Sequence, residues 1–188
     1  MGLVDPLPGV LARAVDALRS AGVPFAVSGA CGVYLRGAGE AVETMDIQVP
    51  PADATRARDA LAAAGLHPDP SEDRRPVVRD DEVRIALVFR TDYLPVTTER
   101  LARSDHLRLA GVEAPVLCAT DLLVDELLIA DPLQLDFTRL LYTARILRGQ
   151  VDWARLDAET AGSPYARAFL GLLGDLGIRS RPTAGTGS

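Results

Sequence analysis

Two short stretches of the chain combine residue types that could hold phosphate groups and a metal ion. The first is Ser28-Gly29-Ala30, in which Gly29 follows a short apolar run and favours a sharp turn. The second is the stretch 44–49, where alternation places Asp46 and Gln48 on one face of a strand. Backbone N–H groups at a turn before a helix can bind phosphate oxygens, and carboxylate oxygens are ligands that Mg²⁺ prefers.

Arginines near these stretches could add positive charge to the same place. A later strand, 83–89, would carry Arg84 and Ala86 on one face, and Arg84 could pair with Asp46 or hold an anion there. Arg36 follows the short helix after the glycine turn and could border the cleft, although a surface charge is the simpler interpretation. The candidate ligand-binding residues are therefore Ser28, Gly29, Ala30, Arg36, Gln48 and Arg84, and the candidate catalytic and metal-binding residue is Asp46.

The sequence predicts that the first half of the chain is a mixture of helices and strands, which would position these residues. Apolar spacing and Gly or Pro breaks indicate the boundaries. The predicted helices are Val10–Leu18, Ala30–Leu35, 53–64 and 97–102, and the predicted strands are Pro24–Ser28, Thr44–Val49 and Val83–Phe89, with a loop or hairpin at 67–81 and a last hairpin within 107–117.

After Cys118 the pattern is uniformly helical. Helices are predicted at 121–129, 133–147, from 151 and at 164–176, with Thr120, Asp131, Asp152 and Ser163 as N-caps. We therefore predict an α/β domain at 1–117, a helical part at 118–178 packed on it, and a flexible tail at 179–188.

Composition excludes several function classes. The net charge of −6 argues against general nucleic-acid binding, which depends on many basic contacts to phosphates. All 20 basic residues are Arg, so no lysine can serve as a nucleophile or phosphate clamp. No secretory signal and no apolar run of about 20 residues is present, which predicts a cytoplasmic protein that does not enter a membrane. The two cysteines lack the spacing of a zinc site.

The stretches 22–37 and 43–49 resemble the opening of the minimal nucleotidyltransferase superfamily, which includes DNA polymerase beta. They are most similar to small bacterial nucleotidyltransferases of the abortive-infection type. In that family a strand ends in Gly followed by Gly or Ser, a short helix follows, and the next strand carries two acids separated by one hydrophobic residue. A later strand adds a third acid. The resemblance covers most of the chain, through 83–89, 119–130, 151–153 and 163–170.

The resemblance implies a mixed sheet flanked by helices, an α/β (α+β) fold, with helices at its C-terminal end. It also implies Mg²⁺-dependent nucleotidyl transfer, but this chain departs from the pattern in its charged residues. Asp46 stands at the first acid, Gln48 at the second and Ala86 at the third, while Glu126 stands where related proteins often have a base. The family's metal site is therefore predicted to be degenerate, as in a pseudoenzyme.

Three functions remain open from the sequence. The first is a nucleotidyltransferase-fold protein that binds a nucleotide or other small molecule, or does metal-independent chemistry, with no cofactor. The second is an active Mg²⁺-dependent enzyme acting on a small molecule, protein or tRNA. The third is a non-catalytic or antitoxin-like interaction protein, with a homo-oligomer or protein partner undecided. For the second, the acids weighed as replacements are Glu40, Glu43, Asp80, Asp81, Glu82 and Asp92.

Overall fold

The glycine turn lies beside the middle strands of a mixed β-sheet in the computed structural model of the chain. The structure describes residues 6–39, 42, 44–68, 77–80, 83–91, 94–129 and 137–179, with the side chains of 67–68 and 77–80 left out. Contacts divide the chain into two compact units, Met1–Cys118 and Ala119–Ser188. In the described residues the first unit is α/β and the second is helical, as the sequence predicts. The domain boundaries at 117 and 178 stay a prediction.

Nine strands are described in the first unit. Their bounds are β1 Ala26–Ser28, β2 Thr44–Gln48, β3 His67–Pro68, β4 Val77–Asp80, β5 Val83–Val88, β6 Arg90–Thr91, β7 Leu94–Pro95, β8 Asp105–Leu109 and β9 Val112–Val116. Seven of them form one sheet in the order β3-β4-β5-β2-β1-β9-β8, and β6 pairs with β7 in a separate ribbon. Only β2 with β5 and β1 with β9 run parallel among the described pairs, so the sheet is mixed.

The described helices of this unit are α1 Leu7–Ser20, α2 Gly29–Leu35, α3 Ala54–Ala63 and α4 Thr98–Leu101. α1 is longer than predicted, and the apolar positions that predicted it are buried. They pack in one core cluster with the apolar face of β2, which includes Met45 and Ile47. Because α1 and α3 belong to this core, the face of β2 that carries Met45 is closed to ligands.

Two hairpins lie in the stretches where the sequence predicts a loop or hairpin and a last hairpin. β8 and β9 are joined at Ala110 and Gly111, which both have positive φ angles of 47° and 88°. Two consecutive positive φ angles are typical of the tight turn that suits a two-residue hairpin. In the stretch predicted as loop or hairpin, β3 pairs antiparallel with β4, while 69–76 lie outside the described residues.

The second unit contains, in its described part, α5 Ala119–Ile129, α6 Thr138–Leu147, α7 Trp153–Thr160 and α8 Pro164–Asp175. Two predicted N-caps are confirmed, since Asp152 accepts a hydrogen bond from the backbone N–H of Arg155 and Ser163 accepts one from Ala166. The prediction for Thr120 is wrong because α5 begins at Ala119, two residues before the predicted start, so Thr120 lies inside the helix. Its hydroxyl instead accepts the N–H of Asp152 at 2.9 Å.

Some predictions fall where no structure is described. The N-cap predicted at Asp131 and the start of the helix predicted at 133 lie outside the described residues, and so does the tail from 180 onward. Arg179, the first residue assigned to that tail, is described, and it donates a hydrogen bond of 2.7 Å to Asp157. Within the described ranges, none of the helices has both the length and the apolar character needed to cross a membrane.

Candidate functional site

The glycine turn joins β1 directly to α2. Ser28 ends β1 and is buried, Gly29 begins α2 with a φ angle of +59°, and Ala30 is exposed. Glycine reaches this region without the steric cost that a side chain brings, so the turn explains the residue type. The Ser28 hydroxyl donates to the backbone oxygen of Asp46 at 3.3 Å, which ties the turn to β2.

Gly29 is also the point where the turn and the carboxylate of Asp46 meet. A methyl group at Gly29 would overlap Asp46 Oδ2 and would lie 3.0 Å from Cγ and 3.2 Å from Cβ. The acid therefore occupies the space that any side chain at position 29 would need. Both the backbone angle and the close approach of Asp46 therefore favour glycine at this position.

The pairing of β2 with β5 shows which residues share the sheet face with Asp46. In this parallel pair Asp46 lies opposite Ala86, Gln48 opposite Val88 and Thr44 opposite Arg84. Residues two apart on a strand share a face, so the predicted alternation is confirmed. The position that the resemblance assigns to a third acid is thus the immediate neighbour of Asp46, and it carries a methyl group.

Arg84 is exposed on the Asp46 face of β5. It lies opposite Thr44, two residues along the strands from the pair of Asp46 and Ala86. Strand geometry puts Arg84 and Asp46 about 8 Å apart between Cα atoms, which a long arginine side chain can span. An ion pair between Arg84 and Asp46 stays a prediction.

Gln48 is buried, with 1% of its surface exposed, and its side chain is held by a residue that the sequence did not indicate. The side-chain oxygen of Gln48 accepts a hydrogen bond of 3.0 Å from Nε of Arg100 on α4. The Thr97 hydroxyl accepts the backbone N–H of Arg100 and so caps the start of α4. The only sequence signal for Arg100 was the short helix predicted at 97–102, which does not specify the strand that the helix contacts.

Arg36 is not the surface charge that the sequence suggested. Only 3% of its side chain is exposed. Its Nε and Nη2 atoms donate to the backbone oxygen of Leu117 at 2.9 and 2.6 Å, and Nη2 also donates to Asp105 Oδ2 at 2.6 Å. Arg36 therefore connects the end of α2 to the ends of β8 and β9. Its donors stabilise the sheet, and a ligand-binding role for it stays a prediction.

The described residues of this face offer few oxygen ligands for a metal ion. Two Mg²⁺ ions need several shared carboxylate oxygens, since such ions sit only about 3.5–4 Å apart. Asp46 offers one carboxylate, Gln48 offers an amide oxygen already bonded to Arg100, and Ala86 offers no donor. In the ranges that the structure describes, no group of three or more His, Cys, Asp or Glu residues could hold a metal ion.

The side chains of the acids that could replace the missing metal ligands are not described by the structure. Glu40, Glu43, Asp81, Glu82 and Asp92 lie outside the described residues, and the side chain of Asp80 is also not described.

Glu126, which stands where related proteins often carry a base, is on α5 in the second unit. Only 16% of its side chain is exposed, and its nearest ion-pair partner is Nη2 of Arg139, 3.7 Å from Oε1. Its Oε2 atom is buried without a hydrogen-bond partner among the described residues. Burial raises the pKa of the Glu126 carboxyl above its ordinary value, although the charge of Arg139 and the Thr143 hydroxyl act in the opposite direction.

The Glu126→Gln variant is expected to be more stable than the parent chain at neutral pH, by on the order of 1 kcal/mol. The unfolded carboxyl titrates near its ordinary value of 4.5 and the folded one at higher pH, so the folded state binds more protons between the two values. The parent's free energy of unfolding therefore falls as pH rises through this window. Urea unfolding from about pH 4 to about pH 8 should show the gain appear with rising pH.

Glu99→Gln is the matched control. A hydrogen bond to its own backbone N–H and one to Thr97 lower the pKa of the exposed Glu99 carboxyl, so loss of its charge should act with the opposite sign. A pH-independent gain in Glu126→Gln would contradict the assignment of a raised pKa.

Comparisons with known proteins agree with this architecture. No protein-family model matches the chain, and no curated protein matches its sequence. The solution structure of the antibiotic-resistance factor ANT(2'')-Ia is similar over 92% of this chain and 100% of that one, with a TM-score of 0.65 and 12% identity. The same factor in complex with adenylyl-2''-tobramycin gives a TM-score of 0.61 and 11% identity, covering 87% of this chain and 98% of that one.

A second kind of protein has a similar structure. The lincomycin-bound lincosamide antibiotic adenylyltransferase LnuA matches 76% of this chain and 97% of its own, with a TM-score of 0.53 and 12% identity. At identities this low, the structural similarity shows a shared fold only. The chemistry has to be argued from the residues of the site. The glycine turn, the mixed sheet and the structural neighbours lead to one conclusion: this chain has the nucleotidyltransferase fold.

Proposed function

We propose that the chain binds a nucleotide or another phosphate-bearing small molecule on the sheet face that carries Asp46, without a two-metal centre. The observation that carries this proposal is the pairing of Asp46 with Ala86, beside a Gln48 whose oxygen is bonded to Arg100. This face keeps the polar character and the glycine turn of a nucleotidyltransferase but has one acid where the family pattern has three. In this proposal the chain keeps a fold that can bind phosphate but lacks the acids that would hold metal ions for catalysis. A cytoplasmic location fits a nucleotide ligand.

Calorimetric titration with ATP, GTP, CTP and UTP tests the proposal, each in Mg²⁺ and in EDTA. We expect at least one nucleotide to bind with the same affinity in both conditions. The Asp46→Asn variant should bind it about two- to tenfold more tightly, because the substitution removes a negative charge that repels phosphate.

Asp59→Asn is the control for this experiment, since Asp59 is an exposed acid on α3 and the variant has the same net charge as Asp46→Asn. Binding that requires Mg²⁺ and disappears in Asp46→Asn would overturn the proposal in favour of a working metal site.

An active enzyme is the second candidate, because the similar solved structures include a lincosamide antibiotic adenylyltransferase and a factor in complex with an adenylylated antibiotic. This candidate needs a second acid near Asp46, and Glu43, Asp80 and Asp81 are the residues to substitute. Transfer of label from [α-³²P]ATP to a small-molecule acceptor, abolished by Asp46→Asn and by one of those three substitutions, would establish it. An interaction protein, the third function, would show a stable complex by light scattering and no nucleotide binding.

A further inference from the structure

The seven-stranded sheet ends at β8, which pairs only with β9 among the described strands. A strand at the edge of a sheet presents backbone N–H and C=O groups that can pair with another chain. Proline residues and bulges often protect such an edge. β8 contains no proline, and its register with β9 runs through all five residues without a bulge. The backbone of β8 is therefore suited to accept a further strand.

The pairing of β9 shows which backbone groups of β8 point to this edge. Leu117 donates its N–H to the oxygen of Val27 on the β1 side. Because the direction alternates along a strand, the residues of β9 that point towards β8 are Val112, Ala114 and Val116, whose partners on β8 are Leu109, Leu107 and Asp105. The N–H and C=O groups of His106 and Arg108 then point away from β9. None of the described residues forms a hydrogen bond with them.

These outward groups lie symmetrically about Leu107. Suppose that two copies of β8 run antiparallel with Leu107 opposite Leu107 of the second copy. His106 of each copy then lies opposite Arg108 of the other, and each such pair exchanges two backbone hydrogen bonds. The four bonds would satisfy every outward N–H and C=O group of these residues in both strands. The backbone of β8 is thus complementary to itself.

The side chains of β8 suit the same register. Leu107 is half-buried and packs against the core cluster. In this register it forms a pair without backbone hydrogen bonds, in which side chains approach most closely, so the two leucines would extend the core across the axis. On the other face, Glu113 lies 3.3 Å from both His106 and Arg108. Hydrogen bonds from Arg108 and from His106 lower the pKa of the Glu113 carboxyl, so a negative charge accompanies the exposed basic residues.

We propose that β8 pairs with β8 of a second copy of this chain, so that the two sheets join about a two-fold axis at Leu107. The same surface serves both copies, as in the commonest symmetric dimers. A pair of five-residue strands is small beside the interface of about 1,600 Å² that a stable complex buries. We therefore expect a reversible dimer with a dissociation constant on the order of 10–1,000 μM.

Sedimentation equilibrium of the full chain at concentrations up to about 1 mM measures this association. The mean mass should rise with concentration towards that of two chains. Arg108→Pro removes the outward N–H of residue 108, which costs two of the four bonds in the dimer, while the bonds between β8 and β9 remain. It should weaken association by about tenfold or more. Arg108→Ala removes the same side chain but retains the N–H, and it should associate like the parent.

A disulfide cross-link tests the register without a change to the backbone. Leu107→Cys places two thiols across the axis at a Cα separation of about 4.5 Å, which a disulfide can span. Oxidised glutathione should therefore join the two chains covalently. Leu109→Cys changes the other half-buried leucine of β8. Its two thiols would lie about 13 Å apart along the strands and should not join. The parent chain, which has the same two native cysteines, is the second control.

The results either support or overturn the pairing. A parent chain that keeps the mass of one copy at the highest concentration overturns it. A dimer that forms equally well in Arg108→Pro, or in which Leu107→Cys cross-links no faster than Leu109→Cys, uses another surface and also overturns it. If Arg108→Pro loses its fold, as circular dichroism would show, the cross-linking result decides.

Discussion

Gly29→Ala is expected to lower the free energy of unfolding of the first unit by about 3 kcal/mol or more. Two costs combine at this position. The backbone has a φ angle of +59°, which costs an L-residue about 1–2 kcal/mol. The new methyl group would also collide with Asp46, and β2 fixes the Cβ atom of that residue at 3.2 Å. Rotation of the Asp46 side chain can move its carboxylate away, but it cannot move the Cβ atom.

Two further variants separate the costs. Gly22 has a similar φ angle of +63°, and a methyl group there would meet nothing within 4 Å, so Gly22→Ala measures the backbone cost alone. Combining Gly29→Ala with Asp46→Ala removes the colliding carboxylate and should reduce the cost of the glycine substitution towards that of Gly22→Ala. Equal losses in Gly29→Ala and Gly22→Ala, measured by urea unfolding, would show that the contact with Asp46 has no energetic weight.

Arg155→Leu is expected to lower the free energy of unfolding of the second unit by about 3 kcal/mol. Nη2 of Arg155 lies 3.0 Å from Oδ1 of Asp121, whose side chain is completely buried. Loss of the arginine removes a counter-charge from a buried carboxylate, which costs more than the ion pair itself contributes. Trp153 on α7, the single tryptophan of the chain, provides a fluorescence signal for unfolding in this unit.

The comparison variants show whether burial of the acid causes the loss. Arg145→Leu removes an exposed arginine from α6 and should change the unfolding midpoint very little. Asp121→Asn in the Arg155→Leu background removes the buried negative charge and should recover part of the stability. If Arg155→Leu and Arg145→Leu have the same small effect, Asp121 does not depend on Arg155.

The parts of the fold that depend on local pattern were accessible from the sequence. Gly29 indicates a turn because few other residues adopt a positive φ angle. Alternation along β2 and β5 assigns Asp46 and Ala86 to one face. The structural comparisons support the fold that the resemblance implied. Short-range signals of this kind need no knowledge of how distant segments pack.

The contacts of the arginines could not be predicted because they join residues that are far apart along the chain. Arg36 is bonded to Leu117, and Arg100 to Gln48, across 81 and 52 residues of chain. Nothing local distinguishes a buried arginine from an exposed one in a sequence whose basic residues are all arginine. The N-cap prediction for Thr120 was wrong because a hydroxyl near the start of a helix resembles a cap unless the first residue of the helix is known.

The parallel pairing of β1 with β9 has a consequence for the order of synthesis. Val27 pairs with Val116, so the strand that leads into the glycine turn acquires its second neighbour only after nearly the whole first unit has left the ribosome. Until then β1 is an unpaired edge on that side, and Arg36 lacks the oxygen of Leu117. Contacts so distant along the chain close slowly. A nascent chain halted before β9 should therefore be a target for chaperones and proteases, because its candidate site is not yet enclosed.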